Sequence, residues 1–506
     1  MKRRDLAPLL GAGLAASVIA PSPRAVAQGA AQGAARTLTV AQPNDALTMD
    51  PARHSAFPTA NIMFHIYDAL VTQDAKGDFQ PALALSWSNP DPLTWRFVLR
   101  QGVKFHNGQD FDAEAVKFTF DRALNPAFRA PYFSRIAAIK AVNVVDRFTV
   151  DLKTEAPFPT MLYSVYEASF AALIIPPGEA SQGLATTPIG TGPYRFVEWR
   201  RDDRVVLEAN PNYWGGAPAV QRVVFRPIRE TRTRIAELRS GGVQIAVDIT
   251  PEDIPALQGG NTKVANVASD FLYFFHFDMT RQTPLQDRRV RQAINHAIDV
   301  DAIQRALLGG LGQRIATVLP TDAFGYDTSW RPYPFDPARA RALLAEAGYA
   351  DGFTIPLTSR RGRYLKDVEI MEASIGYLRR VGIRVNANYL EPGVWAQVSE
   401  RKGREGLIFG GWSGRDPDLV WYPLLVTGQY QSYYSNPQLD ALLLQGRSTI
   451  DPAERRRIYA AAQAIIHEDA PFVPMLQPPL LYGLAANLDW SPRTDSMIDL
   501  RRARFT

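Results

Sequence analysis

Residues 407–418 read Leu407-Ile408-Phe409-Gly410-Gly411-Trp412-Ser413-Gly414-Arg415-Asp416-Pro417-Asp418. The apolar start predicts the end of a buried strand, and the glycine-rich remainder predicts a loop. The loop combines close backbone approach, a flat aromatic face, a hydroxyl group and charges of both signs, which suits a small polar ligand. A strand-to-loop turn that packs its tryptophan is the alternative interpretation, and both stay open. The candidate ligand contacts here are Gly411, Trp412, Ser413, Arg415, Asp416 and Asp418.

Around this segment the pattern alternates between helix and strand, which predicts a wound α/β lobe after residue 278. The segment 407–418 follows one of the predicted strands, where open α/β sheets bind their ligands. An aromatic strand is predicted at 270–277, and a helix at 61–70. Further helices are predicted to begin at Asp112, Thr231, Asp287, Asp336-Pro337, Lys366 and Asp451-Pro452.

Length and composition describe a globular protein with more than one domain. A chain of 506 residues exceeds what one core usually supports, and its 46% hydrophobic and 21% charged residues are ordinary for a globular fold. The formal charge of +5 falls to about +2 without the first 27 residues. This is too little for a nucleic-acid-binding surface. Because cysteine is absent, disulfides, thiolate metal sites and a lipid-modified cysteine are excluded.

Residues 1–27 predict an export signal. A basic start precedes an apolar segment at 9–20 and the small-residue cleavage pattern Ala25-Val26-Ala27. Arg3-Arg4-Asp5-Leu6 is similar to a twin-arginine motif, but an ordinary secretory signal explains the paired arginines equally well. Either route predicts a soluble protein in the periplasm.

The residues that would carry catalysis are missing from the sequence. The six histidines show no His-Glu-x-x-His arrangement, and neither Gly-x-Ser-x-Gly nor a Gly-Lys dipeptide occurs. Asp416 and Asp418 could act as an acid–base pair, although a turn with internal hydrogen bonds fits Pro417 between them better. We expect no catalytic residue, no metal and no cofactor.

Several stretches resemble a known family in the family's order. They are Gly102-Val103-Lys104-Phe105-His106-Asn107-Gly108, Pro188-Ile189-Gly190-Thr191-Gly192-Pro193-Tyr194, Asn210-Pro211-Asn212-Tyr213-Trp214 and Arg291-Gln292-Ala293-Ile294-Asn295-His296-Ala297-Ile298-Asp299. The chain thereby resembles, over roughly residues 36–500, the extracytoplasmic solute-binding proteins of family 5. That family includes peptide-binding proteins of ABC importers and relatives for glutathione, nickel, opines and sugars.

The resemblance implies an α/β, two-lobed periplasmic binding protein type II fold with an extra small domain in the first lobe. The implied division assigns 36–72, 190–280 and 488–506 to lobe I, 73–189 to the additional domain and 281–487 to lobe II. Further ligand contacts that it implies are Ser55, Phe57, Tyr273 and Trp395.

Arg415 departs from the pattern of peptide-binding relatives, which carry an aspartate at this place for the peptide's ammonium group. An arginine there predicts an anionic group on the ligand instead. Alternatively, Arg415 pairs with Asp416 or Asp418 and leaves one carboxylate to bind an ammonium group.

The predicted function is the periplasmic substrate-binding component of an ABC importer, a monomer that captures a peptide or peptide-like, anionic or opine-like solute between its lobes. Its partners would be an inner-membrane permease with ATPase subunits, without nucleic acid. A sensor subunit that presents its ligand to a membrane receptor is one alternative. A periplasmic hydrolase built on the same lobes is another.

Overall fold

The computed structural model of the protein describes residues 37–74, 76–179 and 181–506. The predicted export signal at 1–27 therefore lies outside the described residues. Within them, no helix combines the length and the apolar character that crossing a membrane requires.

The strands of the described residues form three larger sheets and two strand pairs. In chain order they are β1 Thr37–Gln42, β2 Val71–Gln73, β3 Phe79–Pro81, β4 Ala84–Asp91, β5 Thr94–Leu99, β6 Ile139–Asp146, β7 Thr149–Thr154, β8 Tyr194–Arg200, β9 Arg204–Ala209, β10 Arg222–Pro227, β11 Ile245–Ala246, β12 Thr262–Ala268, β13 Phe271–Phe277, β14 Gln313–Arg314, β15 Phe353–Arg360, β16 Ile383–Leu390, β17 Leu407–Ser413, β18 Phe472–Gln477, β19 Pro479–Ala485, β20 Leu488–Asp489 and β21 Arg504–Phe505.

The α-helices cover these sheets. In chain order they are α1 Phe57–Ile66, α2 Ala113–Leu124, α3 Phe133–Ile136, α4 Ser181–Leu184, α5 Thr231–Ser240, α6 Ile254–Leu257, α7 Arg288–Ala297, α8 Val300–Leu308, α9 Pro337–Glu346, α10 Asp367–Arg379, α11 Pro392–Glu400, α12 Pro417–Leu425, α13 Pro437–Ser448 and α14 Pro452–Asp469.

The first large sheet has seven strands in the order β12-β19-β11-β1-β10-β9-β8. β1 lies inside it, parallel to both β10 and β11, which explains why five of its six residues are buried. A separate four-stranded antiparallel sheet, β4-β5-β7-β6, packs with α2 around its own apolar cluster. Asp112 caps α2 by accepting the N–H of Glu114 at 3.1 Å, as predicted.

The second large sheet has six strands in the order β14-β18-β13-β17-β15-β16. β15 is parallel to β16 and to β17, whereas β13 is antiparallel to β17 and β18. α10 and α11 connect the parallel strands, so the α/β class is confirmed. The aromatic run that forms β13 packs into the core of this sheet.

The chain crosses between the two large sheets at two adjacent places. β12 lies in the first sheet and β13 in the second, and the return crossing lies between β18 and β19. The Ser269 N–H donates to the Pro478 carbonyl at 3.0 Å, and the Gln477 amide donates to the Ser269 carbonyl at 2.6 Å. The borders predicted at 280 and 487 stay a prediction, and each lies about one strand beyond the place where the chain passes from one sheet to the other. An apolar strand pattern shows burial but not which sheet the strand joins.

Helix caps are mostly where the sequence predicts them. Asp287, Asp336 and Asp451 each accept a backbone N–H of the first turn, at 2.8, 2.9 and 2.7 Å respectively. Thr231 is not a cap, because Glu230 holds that place and the Thr231 hydroxyl accepts from Arg234 at 2.9 Å.

The helix predicted at 61–70 runs from Phe57 to Ile66 instead. Pro58, in its first turn, suits a helix start, and the backbone becomes extended at Tyr67. Phe57 therefore lies on α1 and not in the preceding loop.

Candidate functional site

The strand at the centre of the sequence analysis is longer than predicted. β17 continues through Ser413 and pairs with β13, placing Tyr273 opposite Gly411 and Leu272 opposite Trp412. A Cβ atom at Gly411 would lie 2.0 Å from Cε1 of Phe271. The aromatic neighbour therefore requires glycine at this position, so close approach of a ligand is not needed to explain it. Gly414 and Arg415 follow the strand, Asp416 caps α12, and the helix begins at Pro417.

A cavity of about 640 Å³ opens beside this strand end. One wall comes from residues 134–135 and 158–164, which flank strands β6 and β7 of the four-stranded sheet, and the other comes from the second large sheet and α12. Its lining includes Ser134, Phe158, Thr160, Tyr163, Phe271, Tyr364, Gly411, Trp412, Ser413, Leu419 and Tyr422, together with five charged residues.

Asp418 is the carboxylate among those charged residues. It is 6% exposed, Thr160 Oγ1 donates to it at 3.4 Å, and Arg447 Nη1 lies 3.4 Å from its Oδ1. That Oδ1 receives no hydrogen bond from any described residue. Burial raises the pKa of Asp418 to about 6, and the charge of Arg447 opposes this shift. The carboxylate is thus ionised at neutral pH, with one oxygen available to a donor.

The other charged residues of the lining are four arginines: Arg135, Arg360, Arg363 and Arg447. Arg447 is close to Asp418, but Arg135, Arg360 and Arg363 form no ion pair with any described residue. Arg360 donates to the Tyr364 hydroxyl at 2.9 Å, while its buried Nε has no hydrogen-bond partner among the described residues. Positive charge therefore exceeds negative charge in this cavity.

Arg415 does not line this cavity. It is 5% exposed, and its Nη2 lies 2.9 Å from Asp322 Oδ2 and also donates to the Lys76 carbonyl. Gly77 packs against the guanidinium, because a Cβ at Gly77 would lie 2.3 Å from Arg415 Nε. The predicted pairing with Asp416 or Asp418 is wrong: the carboxylate partner of Arg415 is Asp322. Its predicted contact with a ligand anion stays a prediction, and the guanidinium is already bound on two sides.

Asp416 has a structural role. Its carboxylate accepts two hydrogen bonds of 2.6 Å from Arg455, and it accepts the Asp418 N–H at 2.9 Å as the cap of α12. Both side chains of the Asp416–Arg455 pair are 4% exposed. Arg415, Asp416 and Arg455 instead line a larger cavity of about 1020 Å³.

The remaining predicted contacts divide into two groups. Trp412 and Ser413 line the 640 Å³ cavity, and Trp395 lines a smaller neighbouring one of about 270 Å³. Trp412 also has a packing role, because its Nε1 donates to the Leu419 carbonyl at 2.8 Å and its ring contacts an apolar cluster.

Tyr273, Ser55 and Phe57 line none of these three cavities. Tyr273 is 3% exposed, and its ring lies 5.8 Å from that of Phe409 in the core of the second sheet. Ser55 is exposed, and Phe57, 45% exposed, contacts Phe170 edge to face. The structure thus gives them no part in the cavity.

The arginines of the cavity are not among the contacts predicted from the sequence. Arg360 is the last residue of β15, a parallel strand, so the rule that selected 407–418 applies to it equally. Arg135 and Arg447 carry no comparable pattern, because they reach the cavity from a short helix and from the last turn of α13. Among the described residues, no group of three or more His, Asp or Glu is placed to hold a metal ion.

Comparison with known proteins assigns the chain to a protein family. Residues 78–434 match the model of the bacterial extracellular solute-binding proteins, family 5. The chain belongs to this family. The glutathione-binding protein GsiB of Pectobacterium atrosepticum is 33% identical over 486 residues, covering 92% of this chain and 91% of that protein.

Solved structures agree with this assignment. The ABC transporter-associated periplasmic binding protein DppA from Helicobacter pylori, in complex with the peptide STSA, matches with a TM-score of 0.74 and 26% identity. The match covers 94% of this chain and 99% of that one. HbpA2 from Haemophilus parasuis has a TM-score of 0.85 at 24% identity, covering 93% and 100%, which supports the fold.

The predicted two-lobed fold and family are therefore confirmed. So is the predicted class of function, a substrate-binding protein of an ABC importer that works with a membrane permease and ATPase.

Proposed function

We propose that the 640 Å³ cavity binds a small peptide or peptide-like solute that carries one ammonium group and an excess of carboxylates. The observation that carries this proposal is a buried carboxylate, Asp418, in a cavity that also contains three arginines without an ion-pair partner in the described part of the chain, Arg135, Arg360 and Arg363. Buried or enclosed charges need partners, because their desolvation is costly.

Asp418 would bind the ammonium group. Its Oδ1 is buried without a hydrogen-bond donor, and a charged hydrogen bond contributes roughly 1.5–3 kcal/mol. Arg360 would bind a carboxylate, since its planar guanidinium can donate two parallel hydrogen bonds. The anionic preference expected from the sequence is thus kept, but its source moves from Arg415 to the arginines of the cavity.

Glutathione has this charge pattern, with one ammonium and two carboxylate groups. The relative at 33% identity is named for glutathione binding, which supports glutathione as the first solute to test. Trp412 and Tyr422 would cover the less polar part of such a solute.

The solute would be bound without being cleaved. Ser413 is the residue closest to a hydrolase pattern, and no histidine lines its cavity. The protein would be exported, bind its solute in the periplasm and deliver it to the permease. Amino-terminal sequencing of the mature protein should then begin near Gln28.

Calorimetric titration tests the proposal directly. Wild-type protein, freed of retained solute by mild unfolding and refolding, is titrated with glutathione, N-acetylglutathione and the dipeptide Ala-Ala. We expect glutathione to bind at least about tenfold more tightly than the N-acetyl form, because acetylation removes the ammonium group. Mass spectrometry should recover the solute intact.

Asp418→Asn should remove the difference between glutathione and its N-acetyl form, and Asp351→Asn, which changes an exposed carboxylate outside the cavity, is the matched control that should keep it. If none of the three compounds binds, or if acetylation does not weaken binding, the proposal is wrong.

A further inference from the structure

A second, smaller cavity adjoins the first. Its volume is about 270 Å³, and it lies between β17 and α11. Four residues line both cavities: Arg360, Tyr364, Gly411 and Trp412. A group attached to a solute in the 640 Å³ cavity could therefore extend past Trp412 into the 270 Å³ cavity.

Arg404 brings a buried positive charge to this smaller cavity. It is 7% exposed and forms no ion pair with any described residue. Nε donates to the Tyr433 hydroxyl at 2.9 Å and Nη2 to Gln431 Oε1 at 2.7 Å, but Nη1 forms no hydrogen bond with any described residue. The guanidinium also lies over the rings of Trp395 and Tyr433, at 5.3 and 4.8 Å. These neutral partners orient the charge without neutralising it.

Two further polar side chains of the same lining lack partners. The Ser399 hydroxyl and the His276 Nε2 are buried and form no hydrogen bond with any described residue, at 5% and 4% exposure of their residues. Burial and the charge of Arg404 lower the pKa of His276 to about 3, so the ring is neutral. Unpaired buried polar atoms are costly, and several around one small cavity indicate a missing polar group.

We propose that this cavity is a subsite for a second carboxylate of the solute. Nη1 of Arg404 and the Ser399 hydroxyl would donate to the two carboxylate oxygens, and His276 in its Nε2–H tautomer would supply a third hydrogen bond. A short group that carries a carboxylate fits within the volume of about 270 Å³. The inference rests on the proposed function, because the first cavity must hold the rest of the solute.

A pair of ligands that differ in one charge tests the subsite. Glutathione and its glycyl monoethyl ester share the ammonium and the glutamyl carboxylate, and only the ester lacks the glycyl carboxylate. Calorimetry with both should show that wild-type protein prefers glutathione by about 10- to 100-fold, as expected for one charged hydrogen-bonded group.

Arg404→Gln should reduce this preference to about twofold or less by weakening glutathione binding alone. Ser399→Ala, which removes one uncharged donor, should reduce it by a smaller factor, about three- to tenfold. Arg305→Gln, an exposed arginine on α8, is the matched control and should leave the preference unchanged. Melting temperatures of all variants report on folding.

If Arg404→Gln and Ser399→Ala both keep the wild-type preference, or weaken both ligands equally, the subsite does not exist. Arg404 then serves packing through Tyr433 and Gln431. The proposed function would survive that result, because the ester and glutathione would both still bind. If wild-type protein binds neither ligand, both proposals are wrong.

Discussion

Two cavities border the stretch from the end of β17 to the start of α12, and they differ in how their buried charges are paired. In the 1020 Å³ cavity, Arg415 pairs with Asp322 and Arg455 pairs with Asp416. In the 640 Å³ cavity, three arginines have no carboxylate partner within the residues that the structure describes. The two buried guanidinium groups of the 1020 Å³ cavity are thus satisfied by the protein itself, while its exposed Arg456 has no ion pair with any described residue. The buried carboxylate of Asp418 beside those three arginines, and not volume, is the reason why we propose the 640 Å³ cavity as the solute site.

Asp416→Ala should have the largest effect, and on stability. The change leaves Arg455 buried without a counter-ion, which typically costs about 3–5 kcal/mol in the free energy of unfolding. Urea denaturation measures it. Glu454→Ala is the control, because it removes an exposed ion pair with Arg457 and should cost less than about 1 kcal/mol. A small loss of stability together with abolished solute binding would instead indicate that the solute binds in the 1020 Å³ cavity.

Asp418→Asn should act on binding and not on folding. We expect the affinity for glutathione at pH 7.5 to fall about 10- to 100-fold, since the ammonium group loses its charged partner. The folded-state pKa of about 6 lies above the ordinary value for aspartate, so the ionised carboxylate costs stability at neutral pH. The free energy of unfolding should therefore stay constant or rise. A clear drop would show that Asp418, like Asp416, is structural.

Acidification should weaken binding by a smaller factor. As pH falls from 7.5 to 5, the Asp418 carboxylate of the unliganded protein gains a proton through its pKa of about 6, and the affinity for an ammonium-bearing solute should fall about tenfold. The ligand itself changes little in charge over this range. Calorimetry at several pH values measures the profile, and Asp418→Asn should flatten it. An unchanged profile in that variant would assign the titration to another group.

Arg363→Gln should give the smallest change. This arginine is exposed although it lines the cavity, so its attraction for an anionic solute is screened. We expect an affinity loss of at most about fivefold, corresponding to no more than about 1 kcal/mol, which disappears in 0.5 M salt. Arg360→Gln is the comparison, because its partly buried guanidinium should show a loss that salt does not remove. Equal salt dependence in the two variants would contradict the assignment of Arg360 to a carboxylate.

Local patterns in the sequence were enough for the elements but not for the direction of side chains. Asp112 and Asp287 each cap a helix through a bond to the backbone two residues further along the chain, so the neighbouring sequence suffices to predict them. Asp416 and Asp418 are separated only by Pro417, yet they face different cavities. Their partners, Arg455 and Arg447, come from other helices, and no local pattern reveals that choice.

In the strands, too, the local sequence does not predict the direction in which a side chain points. Tyr273 was a plausible contact because its strand was expected to line the cleft, but the register with β17 turns its ring into the core beside Phe409. Arg360 could have been found, because it ends a parallel strand. Its importance follows only from the absence of a carboxylate partner, which is a property of the folded structure.

The contact between Gly77 and Arg415 has a genetic consequence. Alanine at Gly77 would collide with the guanidinium, and the backbone φ of 83° there adds a strain that no partner can remove. Arg415→Ala clears the space, so it should act as a partial intragenic suppressor of Gly77→Ala. The melting temperature of the double variant should therefore fall by less than the sum of the decreases that the two single variants show. Strict additivity would show that these two distant positions in the sequence do not constrain each other.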